Sequence, residues 1–435
     1  MTDSSYTPPK FTKEMKSTHK ILIPNMAPLH FSMLQHILED EGYQAEILQD
    51  DGPQIAQEGL KYVHNDTCYP ALLVIGQFIT ALKSGRYDLD HTALLITQTG
   101  GGCRASNYIY LLRKALQKAG FGQIPVASLN FSGLEADSGF SITIPMAKKL
   151  LAAILYGDML MCLKNQISPY EQTAGTTEQL TQKWIQDLCS EFRQGKGISH
   201  SSVKKNFDKI AADFAAISRT VVPKPKVGIV GEIYVKYSPL GNNHLEDFLA
   251  SEGCEVNVPG LMGFVQYCVS NMGETIKLYG GNPFMAWLSN FALRYLDSSE
   301  QNMANSIRKY GLRPPTPFLE VKKLSAGLIG YGTKMGEGWL LTAEMAELIV
   351  SGFENIVCTQ PFGCLPNHIS GKGMINKLRA FYPHANITPI DYDPSATRVN
   401  QENRIKLMLA VAKERLQACE QNTAQPIQPK PALMK

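Results

Sequence analysis

The chain has 435 residues, 44% hydrophobic and 19% charged, and 42 basic against 39 acidic side chains leave a formal net charge of +3. That length can bury a core without disulfide staples, and the near balance of charge, with no basic stripe, argues against a nucleic-acid or acidic-membrane binder. Nine cysteines and a polar N-terminus without an apolar signal core point to the reducing cytoplasm, and the longest apolar stretch, 150–163, is broken by Asp158 and too short to cross a bilayer.

Residues 1–20, with Pro8 and Pro9, and 421–435, with Pro426, Pro429 and Pro431, are expected to be mobile tails. Between them short β-type runs alternate with longer helical ones, the pattern of parallel strands joined by helical crossovers, so the class is α/β. In the first unit, 21–142, strands are expected at 21–24, 44–48, 92–97 and 124–129, with helices near 30–42, 69–83 and 105–119. Ile109, Leu112 and Leu116 recur at helical spacing in the last of these, and Gly120 stands where a left-handed cap belongs.

Residues 143–222 read as a helical segment, with a break around Gly195 and Gly197 and an end at Pro223 and Pro225. A second α/β unit, 223–420, is expected to carry strands at 227–230, 255–258, 355–359 and 386–390. It ends on an amphipathic helix whose Ile405, Met408, Leu409, Ala412 and Leu416 share one face. Two similar layered units then face each other across a cleft at the carboxyl ends of their sheets.

Three cysteines share one setting, at or just after a strand end or opening a helix. Cys68 precedes Tyr69 and Pro70 at an expected helix start; Cys103 closes the turn Gly100-Gly101-Gly102; Cys364 follows the strand at 355–359 within Pro361-Phe362-Gly363-Cys364-Leu365-Pro366-Asn367-His368. Helix N-termini carry partial positive charge and free N–H groups, so these thiols are expected to have depressed pKa values and to suit soft metals, as iron–sulfur clusters or zinc. The plainer reading is that a free cysteine fills apolar space, and Cys162, Cys189, Cys254, Cys268 and Cys419 are read that way. Cys358 lies inside a strand, six residues from Cys364, and either packs or joins the same site. No C-x-x-C pair occurs, which counts against a zinc ribbon, a thioredoxin motif or a ferredoxin cluster.

Gly327 to Lys334 resembles a phosphate loop but places Thr333 before Lys334, the reverse of what a P-loop needs. Asp391 to Ser395 reads as capping for the last helix, and Glu232, Tyr237, Asn242 and Asn243 ring the first turn of the second sheet, where they can line the cleft.

The segments 65–70, 100–108, 336–341, 360–368 and 391–409 together resemble the acyl-CoA dehydratase activase-associated proteins, of the wider group of 2-hydroxyacyl-CoA dehydratases, benzoyl-CoA reductases and double-cubane cluster proteins. The resemblance covers most of residues 20–418. It implies two flavodoxin-like (Rossmann-like) domains holding an iron–sulfur cluster, loaded with low-potential electrons by a separate ATP-hydrolysing activase, in a homodimer or heterodimer. It implies Cys68, Cys103 and Cys364 as iron ligands; beside them Cys358 is expected as a weaker fourth, and Arg104 or His368 as hydrogen-bond donors next to the cluster. A single 4Fe–4S cubane is expected, and an 8Fe–9S double cubane needs more ligands, from Cys254, Cys268 or a partner. The substrate is then a small molecule, an acyl-CoA among the candidates, to be reduced or dehydrated. The alternatives are a non-enzymatic electron carrier or scaffold for a dehydratase complex, and a zinc-bound or metal-free thiol protein.

Overall fold

The computed structural model describes residues 6–98, 102–130 and 139–424. Gly100 and Gly101 of the glycine turn, and residues 425–435 of the expected C-terminal tail, lie outside them. Among the described residues eight strands form two sheets of four. β1 (Lys20–Ile23), β2 (Gln44–Ile47), β3 (Thr92–Gln98) and β4 (Val126–Asn130) pair in the order β2-β1-β3-β4, all parallel. β5 (Lys226–Gly231), β6 (Glu255–Asn257), β7 (Asn355–Pro361) and β8 (Asn386–Tyr392) repeat that topology as β6-β5-β7-β8. Each strand begins and ends within two residues of where the sequence pattern places it.

Both faces of each sheet are buried, as a parallel sheet flanked by crossover helices requires. Along β1 and β3, Ile21, Ile23, Ala93 and Leu95 join one core, with Met33 and Ile37 of the Pro28–Asp40 helix and Tyr156 and Leu160 of the Ile144–Ile167 helix. The alternate residues Leu22, Leu94 and Ile96 face a second core, with the Tyr69–Lys83 and Tyr108–Ala119 helices. That second core continues into the other unit through Val227, Ile229 and Val357. On the far side of the second sheet, Val230, Ile356 and Cys358 pack on Leu341, Met345 and Leu348 of the Trp339–Val350 helix.

The segment expected to be helical holds three helices, Ile144–Ile167, Thr176–Arg193 and His200–Ala215, with Gly195 and Gly197 at positive φ in the break. Part of the expected N-terminal tail is packed: Phe11 is buried in the core and the Tyr6 hydroxyl donates to the Gly122 carbonyl at 3.0 Å. The last helix, Arg398–Ala424, buries Ile405, Met408, Leu409 and Ala412 as its pattern requires. A feature absent from the sequence reading is an antiparallel hairpin of two long helices, Leu261–Tyr279 and Pro283–Lys309. Among the described residues no helix is long and apolar enough to cross a membrane.

Strand order reverses between β1 and β3 and again between β5 and β7, so each sheet opens a crevice outside the carboxyl ends of those strands. The two crevices meet. Ser238 Oγ, after β5, donates to the Asn25 carbonyl, after β1, at 3.4 Å, and His244 pairs with Asp51 across the same junction.

Candidate functional site

Cys68 is the N-cap of the Tyr69–Lys83 helix, Cys103 that of the single turn Arg104–Asn107 leading into the Tyr108 helix, and Cys364 that of the Leu365–Ser370 helix. Pro70 and Pro366 stand in the first turns of two of these helices, where a missing N–H costs nothing. Cys103 and Cys364 follow β3 and β7, which occupy equivalent places in the two sheets, so each crevice receives one thiol from the same topological position.

Backbone contacts draw these segments together. The Tyr69 N–H donates to the Phe362 carbonyl at 3.0 Å. Gly363 has φ +74°, and a Cβ built on it would stand 2.9 Å from Cys68 Cα, so only glycine fits this approach. Arg104 donates through Nη1 to the Asp66 carbonyl, which ties the Cys103 turn to the loop before Cys68. The Tyr108 hydroxyl and Cys68 Sγ are hydrogen-bonded at 3.0 Å. Cys68 and Cys364 are buried and Cys103 is half-buried.

Two carboxyl groups adjoin the thiols. Glu232, directly after β5, accepts the Val235 N–H at 3.0 Å, and Glu337, at the start of the Trp339 helix, accepts the Ile233 N–H at 2.9 Å. Burial and then the charge of Glu337 push Glu232 up to about 8, and burial raises Glu337 as well. Two carboxylates this close do not ionise independently, so at neutral pH the pair retains a proton. Glu337 is a residue the sequence reading did not select, since a lone acid between glycines carries no periodic signal; Glu232 was named only as a lining residue.

The expectation of depressed thiol pKa values is overturned. Burial pushes Cys103 up to about 11, with Glu337, Glu232 and Cys68 raising it further against the Ala105 N–H. Burial likewise lifts Cys364 far above the usual thiol range, with Glu337 and Glu232 adding to it. Cys68 rises through burial despite the Tyr108 hydroxyl and the Ala71 N–H. The N-terminal N–H groups are in place, but loss of water and neighbouring negative groups outweigh them.

Among the described residues no three His, Cys, Asp or Glu side chains stand together as ligands of a metal ion. Thiolates on one tetrahedral ion lie only ~4 Å apart, whereas a cubane places each thiolate on a separate iron and spreads them wider. Cys68, Cys103 and Cys364 are three helix-capping thiols from separate segments, soft donors of the kind that iron–sulfur clusters take.

Of the remaining selected residues, Cys358 is fully buried in the core behind the second sheet and accepts from Gln360 Nε2 at 3.0 Å, and the structure does not bring it to the three thiols. His368 is exposed, its ring Nδ1 bonded to the Cys364 carbonyl at 2.8 Å. The positive charge of Arg104 lowers Cys68 slightly, against the dominant effect of burial. Cys189 and Cys254 are buried in the apolar cores, while Cys268 lies exposed on the Leu261 helix. Tyr237 donates to the Pro259 carbonyl at 2.6 Å and Asn242 to the Val235 carbonyl at 2.9 Å, which are structural duties. Asp393 caps the turn before the last helix, accepting from Ser395 and Ala396 N–H groups at 2.7 and 3.0 Å. The 325–338 stretch is a run of turns between the Phe318–Leu324 and Trp339–Val350 helices, without the strand that leads into a phosphate loop. No protein-family model and no curated protein matches the chain.

Proposed function

We propose that the chain is an iron–sulfur protein of two flavodoxin-like domains, related to the acyl-CoA dehydratase activase-associated proteins. In this reading it takes low-potential electrons from a separate ATP-hydrolysing activase and uses them to reduce or dehydrate a small substrate, an acyl-CoA in the first instance. The observation that carries it is the convergence of Cys68, Cys103 and Cys364, each a helix-capping residue, at the junction of the two carboxyl-end crevices. A cluster bound there would supply one electron at a time.

The chain's own groups supply the rest. Cys68, Cys103 and Cys364 would hold the metal core, and the Tyr108 hydroxyl, hydrogen-bonded to Cys68 Sγ, would donate to the sulfur in its anionic form and stabilise it. Glu232, pushed up to about 8, is mostly protonated at neutral pH and adjoins ionisable Glu337, so the pair can give a proton to a leaving group and take one back. Arg104 anchors the Cys103 turn, and His368 braces the carbonyl of Cys364.

The test is anaerobic purification followed by iron, zinc and acid-labile sulfide analysis with a visible spectrum. About four irons with matching sulfide supports a single cubane and about eight the double cluster. A protein that stays colourless after reconstitution with iron and sulfide refutes the reading. Turnover of an acyl-CoA by the reduced protein with its activase separates an enzyme from an electron carrier.

A further inference from the structure

Beyond the carboxyl end of β6, the Ile144–Ile167, Leu261–Tyr279, Pro283–Lys309 and Trp339–Val350 helices leave a cavity of about 70 Å³ between them. Four acids line it: Asp158, Glu300, Glu344 and Glu347. Two of them are compensated. Asp158 is bonded to His30 and two backbone N–H groups, and Glu344 is paired with buried Lys236 at 3.0 Å. Glu300, 9% exposed, accepts the Phe318 N–H through Oε2 at 2.9 Å. Glu347, 8% exposed, accepts the Thr316 and Ser351 hydroxyls through Oε1 at 2.6 and 2.8 Å. Among the described residues the second oxygen of each accepts no hydrogen bond. The amide of Gln266, fully buried, approaches Glu300 and eases its ionisation slightly, but neither its nitrogen nor its oxygen reaches hydrogen-bond geometry. Arg313 eases Glu347 but is itself paired with Glu255 at 3.2 Å.

We propose that this cavity binds a small alkyl diammonium ion, one ammonium group at the free oxygen of Glu300 and the other at that of Glu347. A buried carboxyl oxygen without a donor is costly, and a ligand carrying a cationic N–H donor at each end satisfies both. Met303, Phe318 and Leu340 offer an apolar wall to the carbon chain between them. The size agrees: at ~10–15 Å³ for each water-sized occupant, the volume admits about five to seven non-hydrogen atoms. A metal ion is a poorer occupant, since among the described residues no three His, Cys, Asp or Glu side chains are grouped as ligands, and a hard dication takes about six oxygens. The titratable groups that line the cavity with Glu300 are Asp158, Cys162, Glu344 and Glu347, and Asp297 acts on it from its own helix. Burial, with the charges of Asp158 and Asp297, pushes Glu300 up to about 8, so the empty cavity keeps a proton there. A bound diammonium ion supplies the counter-charge, so binding releases that proton and tightens as pH rises toward 8. The inference is independent of what the thiol site holds.

The full chain is titrated by isothermal calorimetry, near neutral pH, with 1,4-diaminobutane, n-butylamine, 1-butanol, magnesium chloride and calcium chloride. The expected result is saturable binding of 1,4-diaminobutane at one site, about tenfold tighter than n-butylamine because the second ammonium group reaches the second acid. Neither 1-butanol nor either salt should bind. Glu300→Gln and Glu347→Gln each remove one anchoring charge, and each should weaken 1,4-diaminobutane about tenfold, to the level of the monoamine. The proposal is overturned if neither amine binds, if n-butylamine or 1-butanol binds as tightly as the diamine, if magnesium or calcium takes the site instead, or if either variant binds the diamine as the wild type does. Should the variants fail to fold, the wild-type comparison of diamine, monoamine and alcohol decides alone.

Discussion

Replacing Gly363 by alanine probes the contact that joins the two halves of the thiol site. Gly363 sits at φ +74°, and a methyl group there meets Cys68 Cα at 2.9 Å and Cys68 N at 3.3 Å. Two costs add. An L-residue in the left-handed region loses ~1–2 kcal/mol, and forcing a methyl against backbone that cannot swing aside adds ~1–3 kcal/mol. The backbone cannot yield cheaply, because the Tyr69 N–H to Phe362 carbonyl bond fixes the same two segments. Gly253 is the matched control: its φ is +80°, with nothing within 4 Å of the built Cβ. Gly253→Ala therefore carries only the first cost. Guanidinium denaturation followed by far-UV circular dichroism should show both variants with a lowered midpoint at unchanged slope, and Gly363→Ala lower by a further ~1–3 kcal/mol. Equal midpoints for the two variants would refute the claim that this approach is closed to any side chain.

On the proposed iron–sulfur reading, Cys68→Ala, Cys103→Ala and Cys364→Ala should each abolish most of the iron and the visible absorbance, whereas Cys358→Ala should keep both and lose ~1–2 kcal/mol of stability through a small cavity and the loss of one of the two acceptors of the Gln360 amide, Asn367 keeping the other. Asp158 accepts from Leu261 and Met262 N–H at 2.7 and 2.8 Å and bonds His30 Nε2 at 2.8 Å, all buried, so Asp158→Ala should cost ~3–5 kcal/mol in denaturant melts. Burial pushes Glu300 up to about 8. The folded chain there holds a proton that the unfolded chain, with a carboxyl near 4.3, releases, so this part of the stability is present at low pH and is lost as pH rises from about 4 to about 8. Glu300→Gln should flatten the pH dependence of the midpoint across that window, and an unchanged slope would show that Glu300 is not buried as a neutral acid.

The strands were legible because parallel strands buried on both faces read as short apolar runs, and the glycine and proline turns after them marked their ends. The positions of the thiols, though not their role, were legible for a related reason: Cys103 and Cys364 each stand a few residues past a strand that ends at a crevice. The helical hairpin was not, because at its tip Phe284, Met285, Trp287, Leu288 and Phe291 leave no polar face within 284–291 to set a helical period, and Gly280 and Gly281 read as the end of any element. Glu337 escaped notice because burial of an acid is decided by the tertiary packing around it. The thiol pKa direction was misjudged for the same reason, since the position of a helix N-terminus shows in sequence while the dryness of its surroundings does not.

Buried acids occur in several parts of the fold, and some are compensated: Lys236 lies 3.0 Å from Glu344, both almost wholly buried, and Asp158 is satisfied by His30 and two backbone N–H groups, whereas burial pushes Glu300 up to about 8. At the junction, Glu232, Glu337, Cys103 and Cys364 are linked by charges that raise the pKa values of Glu232, Cys103 and Cys364, and Lys236, the cation that eases both acids, is itself committed to Glu344. A fold selected for stability alone would replace such groups with apolar side chains, as buried polar groups that raise one another's pKa cost free energy. Their clustering where two equivalent crevices meet is what marks the junction as the candidate site, and the metal core proposed above would bring positive charge to a group of side chains that lacks it.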